Sequence, residues 1–437
     1  MQMHFSDTIF ACASGVGKAA LSVLRISGPE SGRILTALCG QASHPQPRRA
    51  SLRRLLGPDG FVLDEALVLW FPGPGSFTGE DCFELHIHGG RAVQEGVFDA
   101  LANLGGRPAE PGEFSRRAVS HGRFGLLEAE AMADLIDAET TQQRDQALRQ
   151  MGGALSALYQ EWSQRLLHLL AQQEALIDFP DEDLPQEVDE AMLAEIAAVA
   201  QSYRTHLAES IRGERLRTGL TIAIAGRPNA GKSTLINALC QRDVAIVSPI
   251  AGTTRDVLEA RIELGGVPVT LLDTAGLRDS DDPVEAEGVR RARARTSAAD
   301  LVMALQPAED DEGPELPDGN FDVILVRTKI DLSIAPPHAA LGVSAVTGQG
   351  LDGLIAALDD KVRQLAGSVG TPVFTRARHR VALQQAESHL DAALRAPLPE
   401  LRGEELRLAL QAIGRITGAV GVEDVLDSIF SQFCIGK

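Results

Sequence analysis

The motif G-R-P-N-A-G-K-S at residues 226–233 constrains the fold of this chain more than any other feature. It matches G-x-x-x-x-G-K-[ST] at every fixed position, with an apolar run before it and a helix-like run after it. Such a motif needs a buried strand, a glycine-rich turn and a helix in succession, because backbone amides curl around phosphate oxygens at the helix N-terminus. We therefore predict a nucleotide-binding α/β domain in which Lys232 reaches the β- and γ-phosphates and Ser233 ligates Mg²⁺.

Two further motifs supply groups for the phosphate end of this site. D-T-A-G at 273–276 follows an apolar, strand-like run. We expect Asp273 to hold Mg²⁺ through water and the Gly276 amide to meet the γ-phosphate. G-T-T-R-D at 252–256 lies between the two motifs, and a threonine hydroxyl there is expected to complete the Mg²⁺ shell.

The motif T-K-I-D at 328–331 predicts recognition of guanine. Asp331 can accept two hydrogen bonds that guanine offers and adenine does not, so this carboxylate selects guanine. The first position usually holds Asn, whereas Thr328 has no amide with which to contact the base or brace the phosphate loop. We therefore expect guanine selectivity with somewhat weaker affinity. Ser344 and Ala345 fit the last guanine loop, and the ordered set predicts a GTP-binding and GTP-hydrolysing domain.

The residue that orients the attacking water in many small GTPases is missing from this chain. Those proteins carry Gln directly after D-x-x-G, and Leu277 stands at that position. A carboxylate a few residues downstream is expected to act instead. The residues alone do not choose among the candidates, which are Asp279, Asp281, Asp282, Glu285 and Glu287.

Composition excludes several classes of protein. The net charge of −19 over 437 residues argues against strong non-specific binding to a nucleic-acid backbone. The five cysteines form no C-x-x-C pair, which argues against structural zinc and a disulfide framework. There is no run of about 18 apolar residues and no signal-peptide pattern. We expect a cytoplasmic protein of roughly two to four domains without a membrane span.

Hydrophobic periodicity divides the chain into four segments. The pattern predicts mixed α/β structure for residues 1–121 and helices for 122–217. It predicts alternating α/β structure for 218–370 and helices again for 371–437. We predict an N-terminal α/β domain, a discontinuous helical domain and an inserted P-loop GTPase (G) domain, since insertion is tolerated where a domain's termini lie close together. The same periodicity predicts strands at 21–26, 66–71, 82–88 and 321–326. It also predicts one continuous helix at 126–148.

Several motifs together resemble the MnmE (TrmE) family of tRNA modification GTPases. They are the loop GRPNAGKST, GTTRD, DTAGLR and the terminal F-C-I-G-K at 433–437. The segments LRISGP, FPGPGSFTGED and PGEFSRRA near the N-terminus are also similar to that family. The resemblance covers essentially the whole chain, and the terminal motif is its most specific part because other P-loop GTPases lack it.

The resemblance implies a tRNA modification activity. An N-terminal folate-binding domain would also form a homodimer, and the G domains would pair in a K⁺-dependent way. With the FAD protein MnmG, in a heterotetramer, the chain would form the 5-(carboxymethyl)aminomethyl or aminomethyl group at wobble uridine 34 of certain tRNAs. The one-carbon unit would be carried by 5-formyltetrahydrofolate or another tetrahydrofolate derivative.

The resemblance also assigns residues by position. It gives K⁺ to Asn229, Ser248, Ile250 and Thr253, and Mg²⁺ to Ser233 and Thr254. It singles out Glu285 as the carboxylate that activates water, while K⁺ does the electrostatic work of an arginine finger. The predicted GTP-contacting residues are Asn229, Ala230, Gly231, Lys232, Ser233, Thr234, Ser248, Pro249, Ile250, Ala251, Gly252, Thr253, Thr254, Asp273, Thr274, Ala275, Gly276, Thr328, Lys329, Asp331, Ser344 and Ala345.

A second predicted site belongs to the folate. Arg25, Glu84, Arg123 and Lys437 match the family's folate contacts. Arg123 stands where the family has Lys, which keeps the charge and changes the geometry. The resemblance associates Cys434 with the modification step, so we predict a catalytic role for it, although a small buried hydrophobe is the other interpretation of this residue.

Two other functions are compatible with a G domain. One is a ribosome-assembly or switch GTPase without modification chemistry, which the acidic charge and the F-C-I-G-K end disfavour. The other is a stand-alone folate enzyme with a regulatory G domain. Folate binding without a tRNA product would support that second alternative.

Overall fold

The structure is a computed structural model that describes two compact units. One comprises Met1–Ala133, Ser156–Leu167 and Leu410–Lys437, and the other comprises Asp134–Leu155 and His168–Ala409. No described helix is both long and apolar enough to cross a membrane. The structure describes all residues except 1–4, 16, 41–43, 179–185, 243–258, 274–298, 311, 315, 317–320, 333–340, 368–372, 420–428, 431–432, 434–435 and 437.

The described elements confirm the predicted combination of α/β and all-α parts. The strands are β1 (Thr8–Cys12), β2 (Leu21–Ser27), β3 (Ser51–Leu56), β4 (Val62–Phe71), β5 (Cys82–His88), β6 (Gly106–Pro108), β7 (Leu220–Ala225), β8 (Glu259–Leu264), β9 (Val267–Asp273), β10 (Leu301–Pro307), β11 (Val323–Thr328) and β12 (Leu341–Val343). The helices are α1 (Ser31–Cys39), α2 (Arg91–Asn103), α3 (Glu113–Ser120), α4 (Leu126–Asp137), α5 (Thr141–Met151), α6 (Ala154–Asp178), α7 (Gln186–Thr218), α8 (Lys232–Cys240), α9 (Leu351–Ala366), α10 (Ala377–Arg395) and α11 (Pro399–Thr417).

The first unit is built on a sheet of order β3-β4-β5-β2-β1-β6. Its neighbours pair antiparallel except for β1 and β6, which run parallel. Because side chains alternate along a strand, Leu24 and Leu85 enter the core while Arg25 and Glu84 occupy the opposite face. The strands predicted at 21–26, 66–71 and 82–88 are confirmed as β2, the end of β4 and β5.

The end of the chain packs against α4 in the same unit. Phe430 and Phe433 form an apolar cluster with Leu126 and Ala129 of that helix. Gly112 makes this packing possible, because it has φ 67° and a Cβ there would lie 2.7 Å from the carbonyl oxygen of Phe430. The residues near the C-terminus are therefore fixed to the N-terminal part of the chain.

The second unit contains a sheet of order β12-β11-β10-β7-β9-β8. All its neighbours run parallel except β8, which pairs antiparallel with β9. Its central strands β7, β9 and β10 are buried on both faces, as in β10, where six of seven residues are buried. The strand predicted at 321–326 lies two residues later, at 323–328, because β11 pairs with β10 through to Thr328 opposite Pro307.

The prediction of one helix at 126–148 is wrong. The segment forms α4 and α5, separated at residues 138–140. Thr140 starts the second helix through a capping box, because its hydroxyl accepts from the Gln143 amide and the Gln143 side chain accepts from the Thr140 amide. Periodicity alone missed the break because residues 139–146 are all polar, and the signal that marks the new helix is the T-x-x-Q pattern at 140–143.

A buried arginine joins three segments of the first unit. The Arg117 side chain is fully buried and donates to Asp7 at 2.8 Å, to Glu113 at 2.9 Å and to Glu80 at 3.2 Å. Burial raises the pKa of Asp7 and of Glu113, but hydrogen bonds and charge from Arg107 and Arg117 outweigh it. Each carboxyl pKa therefore lies below its ordinary value. The cluster ties α3 to β1 and to the loop before β5.

We expect Arg117→Met to destabilise the first unit by about 3–5 kcal/mol, because it removes the buried positive charge that Glu80 and Glu113 face. Since the folded pKa values of Asp7 and Glu113 are depressed, their contribution is present above the unfolded values of 3.8 and 4.5 and is lost as pH falls through the folded ones. Thermal unfolding at pH 7 and pH 3 would show a wild-type loss at the lower pH that is smaller in the variant.

The matched control is Arg54→Met, which breaks an ion pair with Glu65 on exposed β3 and β4. Exposed pairs contribute little, so we expect no measurable change in the unfolding temperature. Equal effects of the two substitutions would contradict a structural role specific to Arg117. Hydrogen exchange assigns each transition to its unit, because a chain of two units does not unfold in one step.

Candidate functional site

The glycine-rich loop has the backbone geometry of a phosphate cradle. It connects buried β7 to α8, and three of its residues have positive φ: Gly226 at 149°, Asn229 at 63° and Gly231 at 89°. Such turns direct successive N–H groups into one concavity. A side chain at Gly226 would be blocked, since a Cβ there would lie 2.6 Å from the Leu305 carbonyl oxygen. Asn229 is exposed at the loop surface.

The two polar side chains at the start of α8 lie where the motif predicts them. Lys232 is buried, and its Nζ donates to the carbonyl oxygens of Gly226 and Arg227 at 2.7 and 3.0 Å, within the loop that would hold phosphate. The Ser233 hydroxyl donates to Asp273 Oδ2 at 2.7 Å. A hydroxyl and a carboxylate side by side form an all-oxygen donor set, which fits Mg²⁺.

Thr328 braces the phosphate loop, and the expectation that it would not is wrong. Its side chain is buried and its hydroxyl donates to the Ala230 carbonyl oxygen at 2.7 Å. Because β11 extends to Thr328, the hydroxyl at the strand end lies against the loop after β7. A hydroxyl is sufficient here, since the contact requires a donor rather than an amide. This contact joins the predicted base-binding motif to the predicted phosphate-binding loop.

The other predicted guanine residues lie in ordered turns. Asp331 is exposed in a short 3₁₀ turn at Ile330–Leu332, and Lys329 before it has φ 59°. Ser344 is buried, and its hydroxyl accepts from the Thr347 amide at 3.2 Å. Asp331 is therefore open to a ligand, while Ser344 shapes the loop that also contains Ala345.

One contact of the loop was missed by sequence reasoning. Arg227, at a variable position of the motif, forms an ion pair with Glu312 in the acidic segment after β10. Gln306 at the end of β10 holds that segment by donating to the carbonyl oxygens of Asp310 and Glu312 at 2.8 and 2.9 Å. The run of acidic residues at 309–312 was a signal, but nothing in the sequence pairs it with Arg227.

Several predicted site residues lie outside the described part of the chain. Their assignments therefore stay predictions. They are Ser248, Pro249, Ile250, Ala251, Gly252, Thr253, Thr254, Thr274, Ala275, Gly276, Leu277, Asp279, Asp281, Asp282, Glu285, Glu287, Cys434 and Lys437.

A second candidate site lies on the open face of the first unit's sheet. Arg25 and Glu84 are register partners on β2 and β5, and the guanidinium lies 2.9 Å from the carboxylate. The guanidinium also lies 5.0 Å from the Phe77 ring centre and 6.0 Å from that of Phe114. Both charged side chains keep about a fifth of their surface exposed. A half-open ion pair against aromatic rings suits a flat ligand with polar edges.

The end of the chain reaches this same sheet. A Cβ on Gly436 would lie 2.3 Å from the carbonyl oxygen of Cys12, the last residue of β1. The residue before it on that strand, Ala11, is the register partner of Arg25. Arg123 is exposed, and its Cδ lies close to Gly79. The structure thus places Gly436 beside β1, and β1 is next to the paired strands that carry Arg25 and Glu84.

Cys12 is also chemically distinctive. Its Sγ lies 3.2 Å from the Ser22 hydroxyl and 3.4 Å from that of Ser14. Burial raises the pKa of the Cys12 thiol, but hydrogen bonds with Ser14 and Ser22 outweigh it, so the thiol pKa is lowered. Cys12 thus presents a sulfur of raised thiolate character beside the chain end.

Two models of known protein families match this chain. The family model described as "MnmE helical domain" matches residues 126–434, and "GTP-binding protein TrmE N-terminus" matches residues 8–123. The chain belongs to the MnmE family. A Gluconacetobacter diazotrophicus protein named "tRNA modification GTPase MnmE" is 55% identical and aligns over 98% of each chain. Proteins of the same name from Granulibacter bethesdensis and Rhodospirillum rubrum are 53% and 52% identical, over 99% of each chain.

Solved structures add little to this assignment. The G domain of the T. maritima FeoB iron transporter is 24% identical, covering 34% of this MnmE-family chain and 99% of that domain, with a TM-score of 0.24. That score is too low to support an argument. Family membership rests on the two matched domains and the full-length relatives.

We expect Thr328→Val to lower the affinity for both GTP and GDP by about tenfold, because the buried Ala230 carbonyl loses its donor. The two nucleotides should be affected equally, since the loop serves both. Titration of a fluorescent GDP and a non-hydrolysable GTP analogue measures this. Thr328→Ser keeps the hydroxyl and should bind like the wild type. Unchanged affinity in the valine variant would show that the brace is dispensable.

Proposed function

We propose that the chain is a K⁺-stimulated GTPase that takes part in modifying wobble uridine 34 of certain tRNAs. The GTPase activity is supported above all by the geometry of the glycine-rich loop. Lys232 lies inside this loop, and the Ser233 hydroxyl lies 2.7 Å from the Asp273 carboxylate. The relatives that bear the name tRNA modification GTPase match the chain over its full length, which supports the same activity here. Hydrolysis would yield GDP and phosphate.

Different residues would neutralise the phosphates, bind the two cations and orient the attacking water. Lys232 would neutralise charge on the β- and γ-phosphates, and Ser233 with Thr254 would hold Mg²⁺. Asn229, Ser248, Ile250 and Thr253 would hold K⁺, which supplies positive charge where an arginine finger acts in other GTPases. Glu285 would orient the attacking water, since Leu277 offers no polar group for that purpose.

The open face of the first unit's sheet is proposed to bind a tetrahydrofolate carrying a one-carbon unit, such as 5-formyltetrahydrofolate. Arg25 and Glu84 would contact its polar ring edge, with Arg123 and Lys437 attracting the negatively charged tail. The position of Gly436 beside β1 supports a chain end, including Cys434, that works at this face.

We further propose the assembly in which this chemistry takes place. Two copies would pair through the first unit and would bind an MnmG-like FAD protein as a heterotetramer in the cytoplasm. The tRNA would be held mainly by that partner, because a net charge of −19 disfavours strong binding to phosphate by this chain alone. The division into an N-terminal domain at 1–121, a helical domain at 122–217 and 371–437, and a G domain at 218–370 belongs to the same proposal.

Hydrolysis of GTP in K⁺ is expected to exceed that in Na⁺ by about tenfold or more at equal ionic strength, because the smaller ion does not fit the same ligand shell. Phosphate release at saturating GTP measures this. Rb⁺ resembles K⁺ in size and should restore the rate. Equal rates in all three salts would rule out the cation mechanism and the Asn229 assignment, while leaving GTP binding intact.

Arg25→Met is expected to weaken 5-formyltetrahydrofolate binding by about tenfold or more, because a charged hydrogen-bond donor is lost from a half-buried face. GTP hydrolysis should stay unchanged. Calorimetric titration of the folate measures the first effect, and phosphate release measures the second. Arg54→Met, on exposed β3 of the same sheet, is the control. Normal folate affinity in Arg25→Met would refute this placement of the site.

A ribosome-assembly or switch GTPase remains the alternative function. The two are separated by analysing nucleosides from cells that lack the protein. Loss of the uridine 34 modification supports the proposal. An unchanged modification together with altered ribosome profiles would support the alternative.

A further inference from the structure

One carboxylate holds both peptide segments that connect the second sheet to the helices around it. The incoming segment is the end of α7, and the outgoing segment precedes α10. Asp134 Oδ1 accepts from Arg217 Nε of the first and from Arg376 Nη2 of the second, each at 2.8 Å. Asp134 Oδ2 accepts from the Thr375 hydroxyl at 3.0 Å. We call Asp134, Arg217, Thr375 and Arg376 the neck cluster.

Helix α5 makes a second, independent set of contacts with the same two segments. Gln143 Nε2 donates to the carbonyl oxygens of Leu216 and Arg217 at 3.1 and 3.0 Å. Gln150 Nε2 donates to the Val373 carbonyl oxygen at 2.9 Å. Helix α4 therefore binds both segments through a carboxylate, and helix α5 binds both through side-chain amides.

The neck cluster combines strong interactions with space in which to rearrange. The side chains of Asp134 and Arg376 are only 9% and 11% exposed, so water screens their attraction weakly. Beside them is a cavity of about 760 Å³ lined by Asp134, Arg217 and Thr375 together with Gln146. The Gln146 side chain is buried, and no described atom accepts from its Nε2. A charged cluster that adjoins a cavity has room for its side chains to adopt a second arrangement.

The helix that contains Asp134 also packs against the residues near the C-terminus. Leu126, Ala129 and Ala133 of α4 pack against Phe430 and Phe433, close to the terminal motif. One helix of 12 residues thus contacts the terminal motif with its first turns and the neck cluster with its last turn.

We propose that Asp134 is a positioning residue that passes the nucleotide state of the GTP site to α4, and through α4 to the chain end. A shift of α7 or of the segment before α10 on hydrolysis moves Arg217 or Arg376. The carboxylate follows because it is bound to both. The part of the proposal that concerns tRNA modification rests on the proposed function, whereas the link from nucleotide to α4 does not.

The test variant is Asp134→Asn, which keeps the shape and removes the charge. In the wild type, GDP and GDP–aluminium fluoride should give α4 amide exchange rates that differ about tenfold, and in the variant the difference should fall below about twofold. GTP hydrolysis should stay within about twofold of the wild type, while uridine 34 modification with the flavoprotein partner should fall about tenfold. Asp137→Asn, on the same helix and lining the same cavity, is the matched control and should change neither readout.

A purely structural role predicts a different pattern. It would lower the unfolding temperature and GTP hydrolysis together, and would leave the exchange difference between nucleotide states intact. If Asp134→Asn does not fold, Arg217→Gln removes one pair in which the arginine side chain is 32% exposed. This variant should reduce the exchange difference about threefold, and combining it with Arg376→Gln should give less than the sum of the two effects.

The outcomes separate the two proposals. If wild-type α4 exchanges equally in both nucleotide states, or if the variants respond like the wild type, the coupling role is wrong. If wild-type protein shows the exchange difference but forms no modified uridine with its partner, the coupling stands and the proposed function fails.

Discussion

Parallel pairing in the second sheet is the constraint on which the GTP site depends. Strands β7, β9, β10 and β11 run in one direction, so their carboxyl ends meet at one edge. That edge collects the loop after β7, Asp273 and Thr328 from segments about a hundred residues apart in sequence. The hydrogen bond of Ser233 to Asp273 joins the start of α8 to the end of β9. The hydrogen bond of Thr328 to Ala230 joins the end of β11 to the glycine-rich loop. Reversing β9 would take Asp273 away from this edge, and reversing β11 would take Thr328 away from it.

The first unit uses charge in two different ways, and burial distinguishes them. Arg117 is fully buried among three carboxylates, so its contacts stabilise the folded unit and are closed to a ligand. Arg25 pairs with the Glu84 carboxylate, keeps 22% of its side chain exposed and lies beside two aromatic rings. A half-open pair exchanges partners at low energetic cost, which a ligand site requires. The same residue type thus stabilises in one place and is available for recognition in the other.

Much of the fold was predictable because local pattern and tertiary pairing agree. Buried strands such as β5 and β7 show as apolar or alternating runs, and the glycine-rich motif dictates the loop between β7 and α8. The break between α4 and α5 was missed because a capping box is a hydrogen-bond pattern that apolar spacing does not reveal. The role of Thr328 was misjudged because its partner, Ala230, lies 98 residues away. The neck cluster around Asp134 was invisible for the same reason, since its members come from three distant segments.

The packing of Phe430 against Gly112 and α4 has a consequence for the synthesis of the protein. Gly112 and the apolar residues of α4 emerge from the ribosome early, whereas Phe430 and Phe433 follow roughly 300 residues later. At about 5–20 residues per second, that delay is about 15–60 seconds. During this time the apolar face of α4 lacks Phe430 and Phe433 as packing partners. The first unit is thus begun first and finished last, and a nascent chain stalled midway would present this face to chaperones or to other unfinished chains.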